Sequence, residues 1–250
     1  GTWIQAKEVV DMKTYTSFQE LDALGEGLAK KYTGNTHRWN SSCFDIEGFI
    51  TDFLKLPILY EAFAEDDPSK IGFLSDGVTP LIVYRAGKKT PIVFPKDTIV
   101  IESFLQRSDE SGRRRFTLAH EAAHFILNRH VPMQTACFHN EYDHEFHYSG
   151  EELARMFSLN ETLTNRLGAA VLMPPFLVCR ALKKYNNGQP IVYYTEGVFA
   201  PDTKIRLQSM SDALGVSYSA LINRLRELRL LECRPIEEYI DHALFPEASI

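Results

Sequence analysis

The 250 residues suit one large domain, or one domain with a small appendage, and a content of 44% hydrophobic and 24% charged residues is that of a globular protein with a sizeable core. A formal net charge of −6 argues against a surface built as a whole for nucleic acid. The most apolar stretch, "LGAAVLMPPFLVC" (167–179), is cut by Pro174-Pro175 and falls short of the roughly 18 apolar residues a membrane span needs.

In chain order, "TSFQELDALGEGLAKKY" (16–32) reads as an amphipathic helix. "SSCFDIEGFITDFLKL" (41–56) reads as a second, with Ser41 or Ser42 as cap and Phe44, Ile46, Phe49, Ile50, Phe53 and Leu54 on one face. Four short apolar runs follow, "PILYEAFA", "IGFLSDG", "TPLIVYRAG" and "DTIVIESFL", separated by Asp-Pro, Asp-Gly and Gly-Lys-Lys breaks. They predict a small, mostly antiparallel sheet over 57–105, and with the helices an α+β fold. The polar turn "RSDESGRRR" comes next, where Arg113, Arg114 and Arg115 are expected to pair with Asp109 and Glu110. Beyond the helix that begins there, "FHNEYDHEFHYSGEEL" (138–153) reads as a long loop, and "ETLTNRLGAAVLMPP" (161–175) as a buried helix that stops at Pro174. Tyr193 and Tyr194 in "PIVYYTEG" read as core or edge-strand aromatics rather than oxyanion donors. The segment 204–231 reads as helix, Gly215-Val216-Ser217 turn, and a helix capped by Ser217.

The chemistry concentrates in "RRRFTLAHEAAHFILNRH" (113–130), whose apolar residues recur at spacings of three and four. On a helix, positions i and i+4 share a face, so His120 and His124 project together, near enough to reach one ion. Glu121 is rotated about 100° from His120 around the axis and could reach a water on the ion without binding the ion. That is the geometry of metal-assisted hydrolysis, in which the carboxylate takes a proton from the water and hands it to the leaving amine. The competing reading is a helix with two hydrogen-bonded histidines, which leaves three polar groups costly to bury in an apolar segment.

A catalytic zinc takes three protein ligands and keeps one position open. The 138–153 segment offers His139, Asp143, His144, Glu145 and His147, with Glu151 and Glu152 beyond them; Ser149 with Glu152 also fits a capping box. Glu161 is the stronger candidate, because a carboxylate on a buried helix needs a positive partner. Asn165, one turn on, could hold the free ring nitrogen of a ligand histidine or orient Glu161. The alternative is an N-terminal glutamate favoured by the helix dipole, with Asn160 as cap.

The two segments together resemble the ImmA/IrrE family of metallopeptidases. Its pattern R-x-R-F-T-x-A-H-E-x-x-H is met at Arg113 or Arg115, Phe116, Thr117, Ala119, His120, Glu121 and His124. Its second pattern, E-x-x-A-N-x-F-A-x-x-L-L-M-P, is met at Glu161, Asn165, Ala169, Leu172, Met173 and Pro174. Departures are Thr164 for Ala, Leu167 for Phe, Gly168 for Ala and Val171 for Leu, within a resemblance covering 40–235. The resemblance implies a zincin-like fold, a small sheet packed on the metal helix, over residues 1–200, with a helix-turn-helix-like module over 201–250. It implies Zn2+, with Mn2+ or another divalent metal as alternatives, held by His120, His124 and Glu161, and Glu121 as catalytic acid and base. It also implies a regulatory endopeptidase acting on a repressor of a mobile element or stress response.

Other expectations come from the residues. The first thirty carry no basic segment followed by an apolar core, and Cys43, Cys137, Cys179 and Cys233 are scattered without a C-x-x-C pair. Both point to a cytoplasmic protein with reduced thiols and no membrane partner. DNA binding through 204–231 is disfavoured, since the overall charge is negative and Arg224 takes a position that is apolar in reader helices. A regulator that only senses metal would not need Glu121, and a non-haem iron oxygenase would share the two-His, one-carboxylate set. For an extended peptide substrate, "DTIVIES" (97–103) is the expected sheet edge.

Overall fold

In the computed structural model the backbone is described for residues 17–130 and 150–245, and side chains for 17–129 and 160–245. The histidine-rich segment 138–148 and Ser149, with the ligand and capping roles considered for them, lie outside the described residues. The chain groups into two compact units, the first comprising residues up to Trp39 with Asp45–Pro174, the second Asn40–Phe44 with Pro175 onward. No described helix is long and apolar enough to cross a membrane. Cys43, Cys179 and Cys233 are unbridged.

In the first unit, α1 (Phe18–Thr36) starts at a capping box: Ser17 Oγ accepts from Glu20 N–H at 3.1 Å, and Glu20 accepts from Ser17 N–H at 2.6 Å. The expected second helix is far shorter. α2 (Ile46–Gly48) is capped by Asp45, not Ser41 or Ser42, and runs on as a π-turn over Phe49–Phe53. The Asp45 carboxylate accepts from Gly48 N–H, Tyr32 Oη and Arg38, whereas Ser41 Oγ donates to Cys43 O, so the first helical turn can form only after Asp45. Ile46, Phe49 and Ile50 are fully buried, as the apolar pattern required.

The strands are β1 (Ile58–Glu61), β2 (Gly72–Leu74), β3 (Leu81–Arg85), β4 (Lys88–Ile92) and β5 (Ile99–Glu102). One sheet has the order β1-β5-β2, with β5 parallel to β1 and antiparallel to β2; β3 and β4 form a separate hairpin. Its turn, Ala86-Gly87, has φ of 50° and 75°, the double positive φ that suits a two-residue hairpin. The strand expected at the edge, within 97–103, is instead the central one. Ile99, Val100 and Ile101 are each 0% exposed, and a short run apolar on both faces is the mark of an interior strand. Beyond β1, Ala62 and Ala64 bond to β3, and among the described residues β2 is left as the edge beside the next helix.

That helix is α3 (Ser111–His130), which buries Leu118, Ala119, Ala122, Ala123, Phe125, Ile126 and Leu127. Of the expected arginine pairs, Arg113 reaches Glu110 at 3.9 Å, but Arg114 turns to Glu47 (3.4 Å) and the Leu105 carbonyl, and Asp109 is taken by Arg107. α4 (Gly150–Leu172) begins well before Glu161, so Asn160 lies inside the helix and not at its N-cap. α4 packs on α1 and α3 through glycines. A Cβ on Gly25 would stand 2.6 Å from Ala170 Cβ, and one on Gly168 would stand 3.2 Å from the Ala119 carbonyl. The Arg166 guanidinium grips Asp22 with both arms, at 3.1 and 2.6 Å.

In the second unit, α5 (Pro175–Asn186) buries Leu177, Val178 and Leu182, and its Arg180 donates to the Ser41 carbonyl. β6 (Ile191–Tyr194) runs parallel to β7 (Leu231–Arg234) and carries Tyr193 and Tyr194, as expected of strand aromatics. α6 (Pro201–Leu214) and α7 (Tyr218–Glu227) meet at Gly215, whose φ of 66° ends α6, and at Ser217, whose Oγ accepts from Ala220 N–H. Leu207, Met210, Leu214, Leu221 and Leu225 form their core. Arg224 is 0% exposed and pairs with Glu227 at 3.0 Å. α8 (Ile236–Leu244) ends the described chain and buries none of its residues.

Candidate metal centre

α3 presents His120 and His124 one turn apart, and α4 brings Glu161 to them. His120 Nε2 lies 3.0 Å from His124 Nε2, Glu161 Oε2 is 3.3 Å from His120 Nε2, and Glu161 Oε1 is 3.4 Å from His124 Nε2. Among the described residues this is the one group of three or more His, Cys, Asp or Glu side chains able to converge on one ion.

The far ring nitrogens decide what the near ones offer. His120 Nδ1 is 2.9 Å from Asn165 Oδ1. His124 Nδ1 is 3.4 Å from Thr164 Oγ1, whose own proton goes to the Asn160 carbonyl at 2.8 Å. Both partners accept, so each Nδ1 carries the proton and each Nε2 turns a lone pair inward. Two lone pairs and a carboxylate are acceptors only, and such a cluster calls for a cation. Tetrahedral zinc with bonds of about 2.0–2.1 Å needs its ligand atoms about 3.3–3.4 Å apart. Two of the three separations match, and the third is a few tenths of an ångström short. Burial works to lower the His120 pKa, but the Glu161 hydrogen bond, the charges of Glu121 and Glu161 and the bond to Asn165 outweigh it and raise it.

Glu121 stands beside this cluster on α3 and is 6% exposed. Burial pushes it up to about 7; the His120 charge opposes that, Glu161 adds to it, and Lys70 and the Leu74 N–H, which donates to the carboxylate, oppose it. A divalent ion alongside would draw it back down. Strand β2 makes room for this carboxylate with a glycine. A Cβ on Gly72 would lie 2.5 Å from Glu121 Oε1 and 2.7 Å from Thr117 Cγ2.

Residues 104–226 match the sequence profile of the Peptidase M78 family, described as the IrrE N-terminal-like domain. Residues 104–226 thus carry an ImmA/IrrE-type domain. No curated protein matches it in sequence.

The motif residues of the ImmA/IrrE pattern, His120, His124, Glu161 and Asn165, are thus brought together, with Glu121 adjacent. Glu161 is not the buried carboxylate its helix suggested: its side chain is 51% exposed, which leaves a solvent-facing side to the cluster. Two departures from the family pattern have structural reasons. Gly168 permits a close approach of α4 to the backbone of Ala119 and His120, and Thr164 serves His124. Sequence reasoning missed Gly72, Leu74 and Thr164 as parts of the site. A glycine inside the run "IGFL" was the available signal, since such a residue marks a close approach.

Proposed function

We propose that the chain is a zinc-dependent, site-specific endopeptidase that cuts a repressor protein of a mobile element or stress response. The observation that carries this is a buried carboxylate, Glu121, set beside two imidazoles and a carboxylate that converge as acceptors. A sensor needs the ligands alone, and a glutamate held in readiness by a backbone N–H suits proton transfer. His120, His124 and Glu161 would hold a divalent ion, which when bound would acidify a water. Glu121 would take the proton of the attacking water as its oxygen bonds to the carbonyl carbon, and then hand it to the departing amide nitrogen as the C–N bond breaks. Its burial raises its basicity against the pull of the ion, and the Leu74 N–H holds it in place.

The substrate adds as a strand to β2. Ile71 and Ser75 bond to β5, so by alternation Gly72 and Leu74 direct their backbone groups away from it; the Leu74 N–H goes to Glu121, which leaves Gly72 and the Leu74 carbonyl to meet the added strand. A folded repressor offers such a strand only in an exposed loop or linker, so cuts are few. The 204–231 module supplies the docking contact, not a DNA reader, and the burial of Arg224 in its pair with Glu227 supports this. Incubation of the zinc-loaded protein with the repressor encoded beside its gene, with and without chelator, tests the reading. Discrete cleavage blocked by chelator is expected. Tight binding without cleavage would leave a metal-sensing regulator, and iron with oxygen consumption an oxygenase. Rapid digestion of casein-like substrates would remove the regulatory role.

A further inference from the structure

We infer that Thr164 is a positioning residue that sets the tautomer of His124 and so tunes metal affinity, a role this chain has where the family pattern carries alanine. The inference rests on the metal site proposed above. Thr164 is 0% exposed and sits one turn after Glu161 on α4, three residues on, so it faces α3 as Glu161 does. Its Oγ1 donates to the Asn160 carbonyl at 2.8 Å, a bond that fixes the hydroxyl proton away from α3. The oxygen lone pair then faces His124 Nδ1 at 3.4 Å. An alanine or valine there offers no acceptor. The acceptor that the hydrogen-bond geometry gives the Nδ1 proton at Thr164 is then gone, which favours the tautomer with the proton on Nε2, where it blocks coordination. Asn165 does for His120 what Thr164 does for His124, so one helix carries the carboxylate and both acceptors.

The test compares the full chain with T164V, T164A and T164S by competition for Zn2+ against a chromophoric chelator, with thermal melting of the metal-free proteins as the fold control. Valine keeps the volume, serine keeps the oxygen. T164V and T164A are expected to bind zinc on the order of tenfold or more weakly than the parent, and T164S within about threefold of it. Should T164V not fold, the serine and alanine pair carries the same comparison. Equal affinities in parent, T164V and T164A would overturn the inference, as would a loss in T164S as large as in T164A, which would assign the effect to packing. A parent protein that takes up no zinc would instead remove the site itself, so the two failures are told apart.

Discussion

At Glu121 two demands meet: a carboxylate must be basic enough to take a proton near neutral pH and must not wander. Burial supplies the first and the Leu74 N–H the second. Replacing it by glutamine preserves size and the adjoining ligands but leaves nothing to accept the proton. E121Q is therefore expected to keep its zinc and its melting behaviour while losing about 10²–10⁴ in kcat on the repressor. Activity within tenfold of the parent would show that the proton goes elsewhere. E161Q changes the opposite property. It removes the one anionic ligand, so metal analysis after dialysis should find it largely stripped, with the fold intact; near-stoichiometric zinc would move the third ligand into the segment 139–152. His120, His124 and Glu121 were legible because a four-residue spacing on a helix is a geometric statement in itself. Thr164 was not, because an acceptor is recognised only when the donor across the helix interface is known.

The elements show the same division. Helices α1 and α3 follow from their own periodicity. β4 escaped because Lys88, Lys89 and Pro91 give it no apolar alternation, and it exists only by pairing with β3. The start of α4 escaped because the polar run 138–152 reads as loop and masks the helical spacing of Leu153, Met156 and Phe157 that follows it. Which strand is the edge was misjudged, although the unbroken apolar run of β5 favoured the interior. Strand β2 carries the consequence. With Gly72 lying over Glu121, the substitution G72A must push the carboxylate aside, and a misplacement of about 1 Å at a reacting group can cost about 10²-fold. The loss is expected in kcat rather than in zinc content, and it should vanish in an E121Q background, where there is no base left to displace. Helix α4 carries another. D22A leaves Arg166, only 13% exposed, without its bidentate partner and should cost about 3 kcal/mol in a urea titration. Replacing both partners by apolar residues of similar size should cost much less; equal losses would mean that packing rather than charge joins α1 to α4.

For the molecule as a whole, the function proposed above assigns metal and docking to different units. An ion that binds the folded first unit stabilises it by mass action, about 2.7 kcal/mol at a hundred times Kd. Hydrogen exchange should therefore quicken in α3 and α4 when chelator is added, while amides of α6 and α7 are unchanged; quickening in both would join the units into one cooperative whole. Reversing charge at the exposed Arg226 and Arg229 of the second unit should raise KM for the repressor but not for a short peptide spanning the cut. Equal effects on both substrates would remove the docking role.

Because Glu161, Thr164 and Asn165 all ride on α4, they cannot be adjusted one at a time by moving the helix. Side-chain tips stand about 5–6 Å from a helix axis, so a turn of about 20° carries all three by about 2 Å, more than a coordination bond tolerates. The contacts of Gly168 with Ala119 and Gly25 with Ala170, and the clasp of Arg166 on Asp22, thus act as a detent: they hold α4 at one angle, at which the carboxylate and both imidazole partners arrive together. Whatever rotates that helix does not weaken the centre by degrees but dismantles it in one motion, so retention of the ion becomes a gauge of the angle at which α4 sits.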